Sequence, residues 1–438
     1  MTTTEGDSKS LLGGADSRTE YFRNRMKMLE EELMKDPRFI RPSILDSNIK
    51  EKKEDTVTIQ RLNSVLGTPN TVCCIGILVN GEDGHLHIED ETMRIRLNLT
   101  KTHSAKDSFF TEGSIVIVEG SNRGGVFWAD NIHQPPMIPM PTRNEISEKD
   151  HFGAYTYVRN NVLNKIEEID KLAMNKREDL EDSIDENEGI VIMSNIFLDE
   201  PETIHALDRI FTAYESIEAI NTFILCGEFI SLKKADSLDF EGIKFCFDEL
   251  ARIIKKNLRL KAECRFIITC SDQIFPCPPM LEYFHDTAFQ GIENITFACN
   301  PCRISFYGKE IVVSRYDYLK RIKKNSYYLG GDLKSEGEDA NEVDDITKIA
   351  NTILSQASLM PLFYLVQPIY WEYAEVLNLN NCPDYLILAD TCEQYSLDSL
   401  PNAATKVTNP GNFSTNHTFT IVYPLLGKIE MSSLPEEE

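Results

Sequence analysis

The apolar residues of this 438-residue chain change their period partway along, and that change limits what it can fold into. Between residues 57 and 135 they alternate. Leu86 and Ile88 in "HLHIED", and Ile95, Leu97 and Leu99 in "RIRLNLT", fall on one face of short strands. Period two marks a strand with one buried face. From Gly189 the apolar residues come in unbroken runs, "IVIM" (190–193), "FILC" (223–226) and "RFIITC" (265–270). Such runs suit strands covered on both faces. Helical stripes separate them: Ile204, Leu207, Phe211 and Tyr214, then Ile243, Phe247, Leu250 and Ile254. One sheet type cannot satisfy both patterns, so the reading is an α+β multi-domain chain.

The first pattern holds about five strands separated by glycine-bearing turns: "VCCIGILV", "HLHIED", "RIRLNLT", "SIVIVEG" and "GVFWADNI". Five short strands in one small domain fit a Greek-key barrel of the OB type, over residues 57–140. Ahead of it, residues 1–16 read as disordered and 17–56 as a docking helix and linker. Ser17 and Glu20 form a capping box, Phe22, Met26, Leu29 and Leu33 make one apolar stripe, and Pro37 ends the helix. A helix this short is marginal alone, so it must dock on something. Residues 141–188 read as a helical and acidic linker after the proline-rich "HQPPMIPMPT". Residues 189–438 read as an α/β domain with an acidic loop at 331–345. There Asp199 and Glu202 suggest a second capping box, and "RISFY", "EIVVSR", "PLFYL", "DYLILAD" and "FTIVYP" suggest further strands. A helix near 346–357 interrupts them, so a mixed two-sheet sandwich flanked by helices fits best.

The net charge of −25 opposes tight nonspecific binding to nucleic acid. Much of it is local, seven acids in "EDLEDSIDENE" (178–188) and seven in "GDLKSEGEDANEVDD" (331–345). Blocks like these read as solvated linkers or loops. No apolar run reaches the roughly 18 residues of a membrane helix, and "MTTTEGDSKS" carries no secretory h-region. Of eleven cysteines, Cys74, Cys226, Cys264, Cys270, Cys299 and Cys302 sit in or beside apolar stretches, which suits reduced, buried thiols.

Candidate chemistry is sparse. Cys299 and Cys302 form one CxxC without a second pair, so buried thiols beside a proline turn is the better reading. His85 and His87 project the same way from one strand and read as a solvent-facing pair. "KRIKK" (320–324) reads as a solvated face, with a nuclear signal as the other reading. Tyr370, Trp371 and Tyr373 in "IYWEY" are either core or anchors for a partner protein. In the barrel Phe127 and Trp128 form the one aromatic pair on the strands, while Glu82, Asp83, Glu89, Asp90 and Glu91 crowd a loop region, which favours protein over single-stranded DNA as a ligand. No Walker A, G-x-S-x-G or dinucleotide fingerprint occurs.

The second pattern ends its strands at "SNIFLDE" (194–200), "GEFIS" (227–231), "CSDQ" (270–273), "SQAS" (355–358) and "ADTC" (389–392). This layout resembles the calcineurin-like metallophosphoesterases, and the resemblance implies an α/β sandwich of that type. Gly227 would let the backbone turn sharply ahead of Glu228. That family carries metal ligands at these five places. Here Asn195 and Phe197 replace the first Asp and His, Glu228 the bridging Asp, and Ser231 its partner. Asp272 lies in the third segment, Ser358 stands at the single His, and Asp390 lies where the last His pair would be. None of the eight histidines falls between 285 and 417, the span a dinuclear site would draw on. The expectation is an inactive site with no metal or other cofactor and no catalytic residue. The alternative is an atypical mononuclear site on Glu228, Asp272 and Asp390.

A barrel followed by such a domain, with "FILCGEF", "NPCRI", "TILSQASLMPL", "PIYWEYA", "PDYLILAD" and "NPGNF" in this order, resembles the B-subunit family of eukaryotic replicative DNA polymerases. "RTEYFRNRMKML" and "SVLGTPNTVCCIGIL" extend the likeness toward the start, and its epsilon branch fits best. The resemblance implies a noncatalytic accessory subunit in the nucleus. Its partners would be the C-terminal metal-binding domain of the catalytic subunit of DNA polymerase epsilon and other replisome proteins, with DNA touched weakly or indirectly and no membrane. Family members usually begin with a helical domain, and only about 17 residues precede "RTEYFRNRM" here, so that domain is expected to be absent or to lie outside this chain. A single-stranded DNA-binding OB protein and the equivalent accessory protein of another replicative polymerase are the remaining alternatives.

Overall fold

A computed structural model describes residues 13–36, 39–40, 57–66, 70–104, 106–139, 186–231, 240–270, 287–292, 294–327 and 343–435. The expected helical linker near 155–176, most of both acidic blocks and Asp272 fall outside the described residues. By compactness the chain forms two units, one within residues 1–159 and 319–382, the other within 160–318 and 383–438. The second domain, expected as one stretch from 189 to 438, is therefore interrupted. The reason lies in the polar loop 107–115. Phe109 N donates to Thr352 Oγ1 at 2.8 Å, Ile115 N to Gln356 Oε1 at 2.9 Å, and Thr111 Oγ1 to the Pro361 carbonyl at 2.5 Å. Buried backbone groups need partners, and the helix Asp345–Ser355 and the residues after it supply them.

The first unit opens with the helix Ser17–Leu33. A short parallel pair follows, β1 (Phe39–Ile40) and β2 (Val57–Thr58). The barrel strands are β3 (Val72–Asn80), β4 (Leu86–Glu89), β5 (Arg94–Asn98), β6 (His103–Ser104), β7 (Ile115–Arg123) and β8 (Val126–His133). They run β5-β4-β3-β7-β8, and a parallel β5–β8 pairing closes the ring, which is the OB order. Ile88, Ile95 and Leu97 are buried inside, as their alternation requires, with Leu86 and Leu99 packed against them. Phe127 is also inside, fully buried, so it forms no aromatic pair with Trp128, which is 40% exposed.

The N-terminal helix docks as its stripe requires, with Met26, Leu29 and Leu33 packed on Cys73, Ile75, Ile115 and Ile117. Its start differs from the expected box. The N-cap is Asp16, which makes no side-chain cap bond, and the Ser17 hydroxyl accepts from Gly14 N at 3.0 Å instead. Arg25 on this helix is buried, donating to the Gln356 carbonyl at 3.0 Å and to its Oε1 at 3.2 Å. "PLFYL" is no strand: Val366 N bonds the Phe363 carbonyl at 2.9 Å in a turn. Pro361 and Pro368 lack the N–H groups that a ladder needs. Asp344, from the end of the acidic stretch, caps the helix Asp345–Ser355 by accepting from Thr347 N at 2.6 Å.

The second unit has two sheets. One runs β12 (Ile295–Ala298), β11 (Arg265–Cys270), β10 (Ile220–Gly227), β9 (Gly189–Ser194), β18 (Thr418–Tyr423) and β19 (Lys428–Ser433). Its first four strands are parallel and β18 and β19 antiparallel. The other runs β13 (Cys302–Phe306), β14 (Lys309–Arg315), β15 (Tyr385–Ala389), β17 (Lys406–Asn409) and β16 (Tyr395–Leu397). Ile190, Ile192, Ile224 and Ile267 of the first meet Ile311, Val313, Tyr385 and Ile387 of the second in one core. On its opposite face the first sheet buries Val191, Phe223, Leu225 and Phe266 under the helices Pro201–Tyr214 and Phe240–Lys256. Both faces are thus covered, which explains the unbroken apolar runs. The helix Pro201–Tyr214 starts from Glu200, with Pro201 in its first turn. Asp199 is no cap there. It accepts from Ser231 N at 2.8 Å and from Ser231 Oγ at 2.6 Å.

Candidate functional site

The C-terminal ends of β9, β10, β14 and β15 bring together Asn195, Glu228, Arg315 and the Ala389–Asp390 peptide. In layered α/β folds, ligands sit outside these strand ends. Here the place is filled from within. Arg315 is 3% exposed and Glu228 is 7% exposed. The Arg315 guanidinium donates through Nη2 to Glu228 Oε1 at 3.1 Å, and through Nη1 to Asp317 Oδ1 at 3.0 Å and the Ala389 carbonyl at 3.3 Å. Asn300 holds the Arg315 backbone from both sides, accepting from its N–H at 3.0 Å and donating to its carbonyl at 2.8 Å. Burial pushes the Glu228 carboxyl above its ordinary range, Arg315 opposes that shift, and Asp317 adds to it.

The backbone on either side is held in rarely used conformations. Asn195 has φ of 58° and Phe229 φ of 44°. Asparagine tolerates this region, and phenylalanine does not readily. Gly227 does not carry the turn, as the sequence suggested. It is needed because a Cβ there would come within 2.6 Å of the Phe229 ring, which is fully buried against Phe247. Asn195 Nδ2 donates to the Asp390 carbonyl at 3.1 Å. The Asn195 carbonyl accepts from Ser414 Oγ at 2.7 Å, and the Phe197 N–H donates to that same oxygen at 2.8 Å. Asp390 turns its carboxylate to the N–H groups of Thr391, at 2.6 Å, and Cys392, at 3.3 Å. Its own N–H donates to Asn409 Oδ1 at 3.1 Å.

Of the seven strand-end residues singled out in the sequence, Asn195, Glu228 and Asp390 converge, and Phe197 is tied in through Ser414. Ser231 sits beside them but faces Asp199. Ser358 belongs to the other unit, where its hydroxyl lies 3.4 Å from the Tyr21 hydroxyl and accepts from Met360 N at 3.2 Å. Asp272 lies outside the described residues. The atypical trio of Glu228, Asp272 and Asp390 is not assembled among the described residues: Glu228 is committed to a cation and Asp390 to backbone donors. These residues do not fit a dinuclear metal centre. No group of three or more His, Cys, Asp or Glu placed to hold a metal ion occurs among the described residues. The sequence reading missed Arg315 altogether. Its signal was a lone cation ending the apolar run "EIVVSR" with Asp317 two residues on.

The other candidates separate too. Cys302 is buried, but Cys299 is exposed, the two flanking a cis Asn300–Pro301 bond. His85 is exposed as expected, while His87 is partly covered, its Nδ1 2.9 Å from the His85 carbonyl. Trp371 opens a 3-10 helix, Trp371–Leu377, and its ring packs on Tyr21 at 6.0 Å, Phe22 at 6.1 Å and Tyr364 at 5.9 Å. Tyr370 stays 51% exposed, and Tyr373 is half-buried.

One unit is a closed OB-type barrel, and the other is a layered two-sheet unit whose strand-end cluster holds an internal ion pair. Residues 190–397 match the family model that describes the B subunit of DNA polymerases alpha and epsilon. Residues 15–136 match that of the DNA polymerase epsilon subunit 2-like OB-fold domain. The B subunit of DNA polymerase epsilon from Arabidopsis thaliana is 28% identical over 437 residues, covering 98% of this chain and 78% of the relative. DNA polymerase epsilon subunit 2 is 27% identical in Bos taurus and 26% in Homo sapiens, each over 98% of this chain and 78% of the relative. The chain belongs to the B-subunit family of DNA polymerases alpha and epsilon, in its epsilon branch.

Proposed function

We propose that this chain is the noncatalytic B subunit of a DNA polymerase epsilon assembly and acts in DNA replication as a scaffold for the catalytic subunit. The observation that carries the scaffold reading is the buried Arg315–Glu228 pair. A guanidinium bonded to Glu228, the carboxylate at the expected bridging position, opposes a metal ion there and with it metal-activated hydrolysis. The two sheets with helices outside one of them, and the cluster at their C-terminal strand ends, support descent from a calcineurin-like phosphoesterase sandwich that has lost its chemistry. Asn195, Phe197, Glu228, Ser231, Asp272, Ser358 and Asp390 are its vestigial positions.

The partner surface is then sought away from that cluster. Tyr370 is the anchor taken from the first unit, 51% exposed and next in sequence to Trp371, whose ring packs on Tyr364. Trp371 and Tyr373 follow it in the short helix that Tyr370 precedes. The segment bound is the C-terminal metal-binding domain of the catalytic subunit, the metals being the partner's, and the place of work is the nucleus. Co-expression tests this reading. The chain should be retained by a catalytic subunit that carries its C-terminal domain and lost when that domain is deleted. Tyr370→Ala should weaken retention about tenfold or more, as loss of an interface anchor does. Equal retention by the truncated partner would overturn the assignment of the segment.

A further inference from the structure

Apart from the scaffold reading, we infer that a cleft in the second unit is a receptor for an acidic peptide segment, and that its occupant is this chain's own run of Glu436, Glu437 and Glu438. The cleft, of about 420 Å³, is lined by one face of the helix Pro201–Tyr214, by His417 and by the two residues after β19, Leu434 and Pro435. Glu202, His205 and Arg209 stand at i, i+3 and i+7 of the helix, so they share that face and span about 10 Å of it. Ala206 and Leu434 add apolar surface. An apolar lining with a few polar groups is the usual make-up of a ligand site. His417 ends the one-turn helix Phe413–Asn416 with φ of 50°, a left-handed conformation that histidine enters more readily than most residues. Its Nδ1 lies 2.9 Å from the Phe413 carbonyl. A carbonyl only accepts, so Nδ1 carries the proton and Nε2 is the atom left for a ligand. When the ring is charged, Nε2 donates, and a carboxylate is its natural acceptor.

The course of the chain identifies the occupant. Leu434 N donates to the His417 carbonyl at 3.0 Å, and the Pro435 carbonyl accepts from Arg209 Nη2 at 3.3 Å. The backbone thus passes from His417 to Arg209 along the lining of the cleft. The next three residues are all glutamate. Three extended residues reach about 10 Å, the length of helix from Arg209 back to Glu202. So short a tether gives the run an effective concentration in the millimolar range, roughly, and a free acidic peptide must match it to compete. Arg209, His205 and His417 supply the cationic groups for its carboxylates. Glu202 is the one acid among the lining residues and opposes them. Asp208, beside Arg209 in sequence, is engaged by Lys256 at 2.8 Å.

The test uses the full chain with ring-labelled histidine, read by NMR at about pH 6, where imidazoles carry charge. His205→Gln and His417→Gln assign the two signals. Glu436→Gln/Glu437→Gln/Glu438→Gln should move both signals and leave those of His85, His103 and His133, which lie in the first unit, in place. Triglutamate peptide at about 10 mM should return them toward their native positions, and should leave the signals of the native chain where they are, because its own run already holds the cleft. In the triple variant, adding Arg209→Ala should raise the peptide concentration needed about two- to fivefold, as loss of one ion pair does. Signals that stay in place in the triple variant, that move together with those of the first unit, or that do not answer to the peptide overturn the docking. A native chain whose two signals move with the peptide has a cleft open to acidic segments of a partner, and that overturns the glutamate run as its occupant.

Discussion

Arg315→Leu is the most informative perturbation of the strand-end cluster. It removes three hydrogen bonds, to Glu228, Asp317 and the Ala389 carbonyl. The Asp317 side chain is 22% exposed and can rehydrate, so its loss matters little. The Glu228 side chain is 8% exposed and cannot. Stranding a buried charge costs about 3–5 kcal/mol. Replacing both partners with apolar side chains removes the stranded charge, so Arg315→Leu/Glu228→Leu should recover about half or more of that loss. The assay is urea unfolding of the full chain followed by far-UV circular dichroism, comparing midpoints at constant slope. Tryptophan emission cannot serve, because Trp128 and Trp371 both lie in the first unit. The units need not unfold together, so the transition of the second unit is the one compared. A loss under about 1 kcal/mol in the single variant, or strictly additive losses in the double one, would refute an internal ion pair as what closes the site.

Other expectations follow from the same geometry. Because burial raises the Glu228 carboxyl, the native state holds that proton to higher pH than the unfolded chain. Stability of the second unit should therefore fall as pH rises from the ordinary carboxylate range to the raised value, and Glu228→Gln should flatten that part of the profile of melting temperature against pH. Gly227→Ala drives a methyl into the Phe229 ring and should cost about 1–3 kcal/mol, read as a lowered urea midpoint. Trp371→Ala removes the ring on which Tyr21 and Phe22 pack, so hydrogen exchange across residues 17–33 should speed up about tenfold or more while the barrel strands keep their protection.

The barrel was legible because its strands bury one face, and period two survives as a local signal. The same logic placed β9, β10 and β11 and the helices between them. What escaped was set by tertiary partners. Phe127 and Trp128 are adjacent and both aromatic, and only barrel closure decides that one is core and the other surface. "PLFYL" has strand composition, but Pro361 at its start and Pro368 three residues past its end lack the N–H groups a ladder needs. Asp199 sits at capping distance from Glu202, yet the two donors of Ser231 claim its carboxylate. The convergence of Asn195, Glu228 and Asp390 was legible, because each follows an apolar run that reads as a buried strand. The partner of Glu228 was not, because Arg315 and Glu228 are 87 positions apart and meet only when β10 and β14 are brought into facing sheets. Ser358 shows the reverse: its place in the order of motifs suggested one site, and the fold put it in the other unit.

The account rests on this chain being a stoichiometric binding subunit with no chemistry of its own. The direct test is the mass and activity of the complex recovered through a tag on this chain when it is co-expressed with the catalytic subunit of DNA polymerase epsilon. The account predicts a one-to-one complex with polymerase activity, and no phosphodiester hydrolysis by the free chain under any divalent metal. Recovery of the free chain alone, hydrolysing a phosphodiester in a way that Glu228→Gln abolishes, would contradict it.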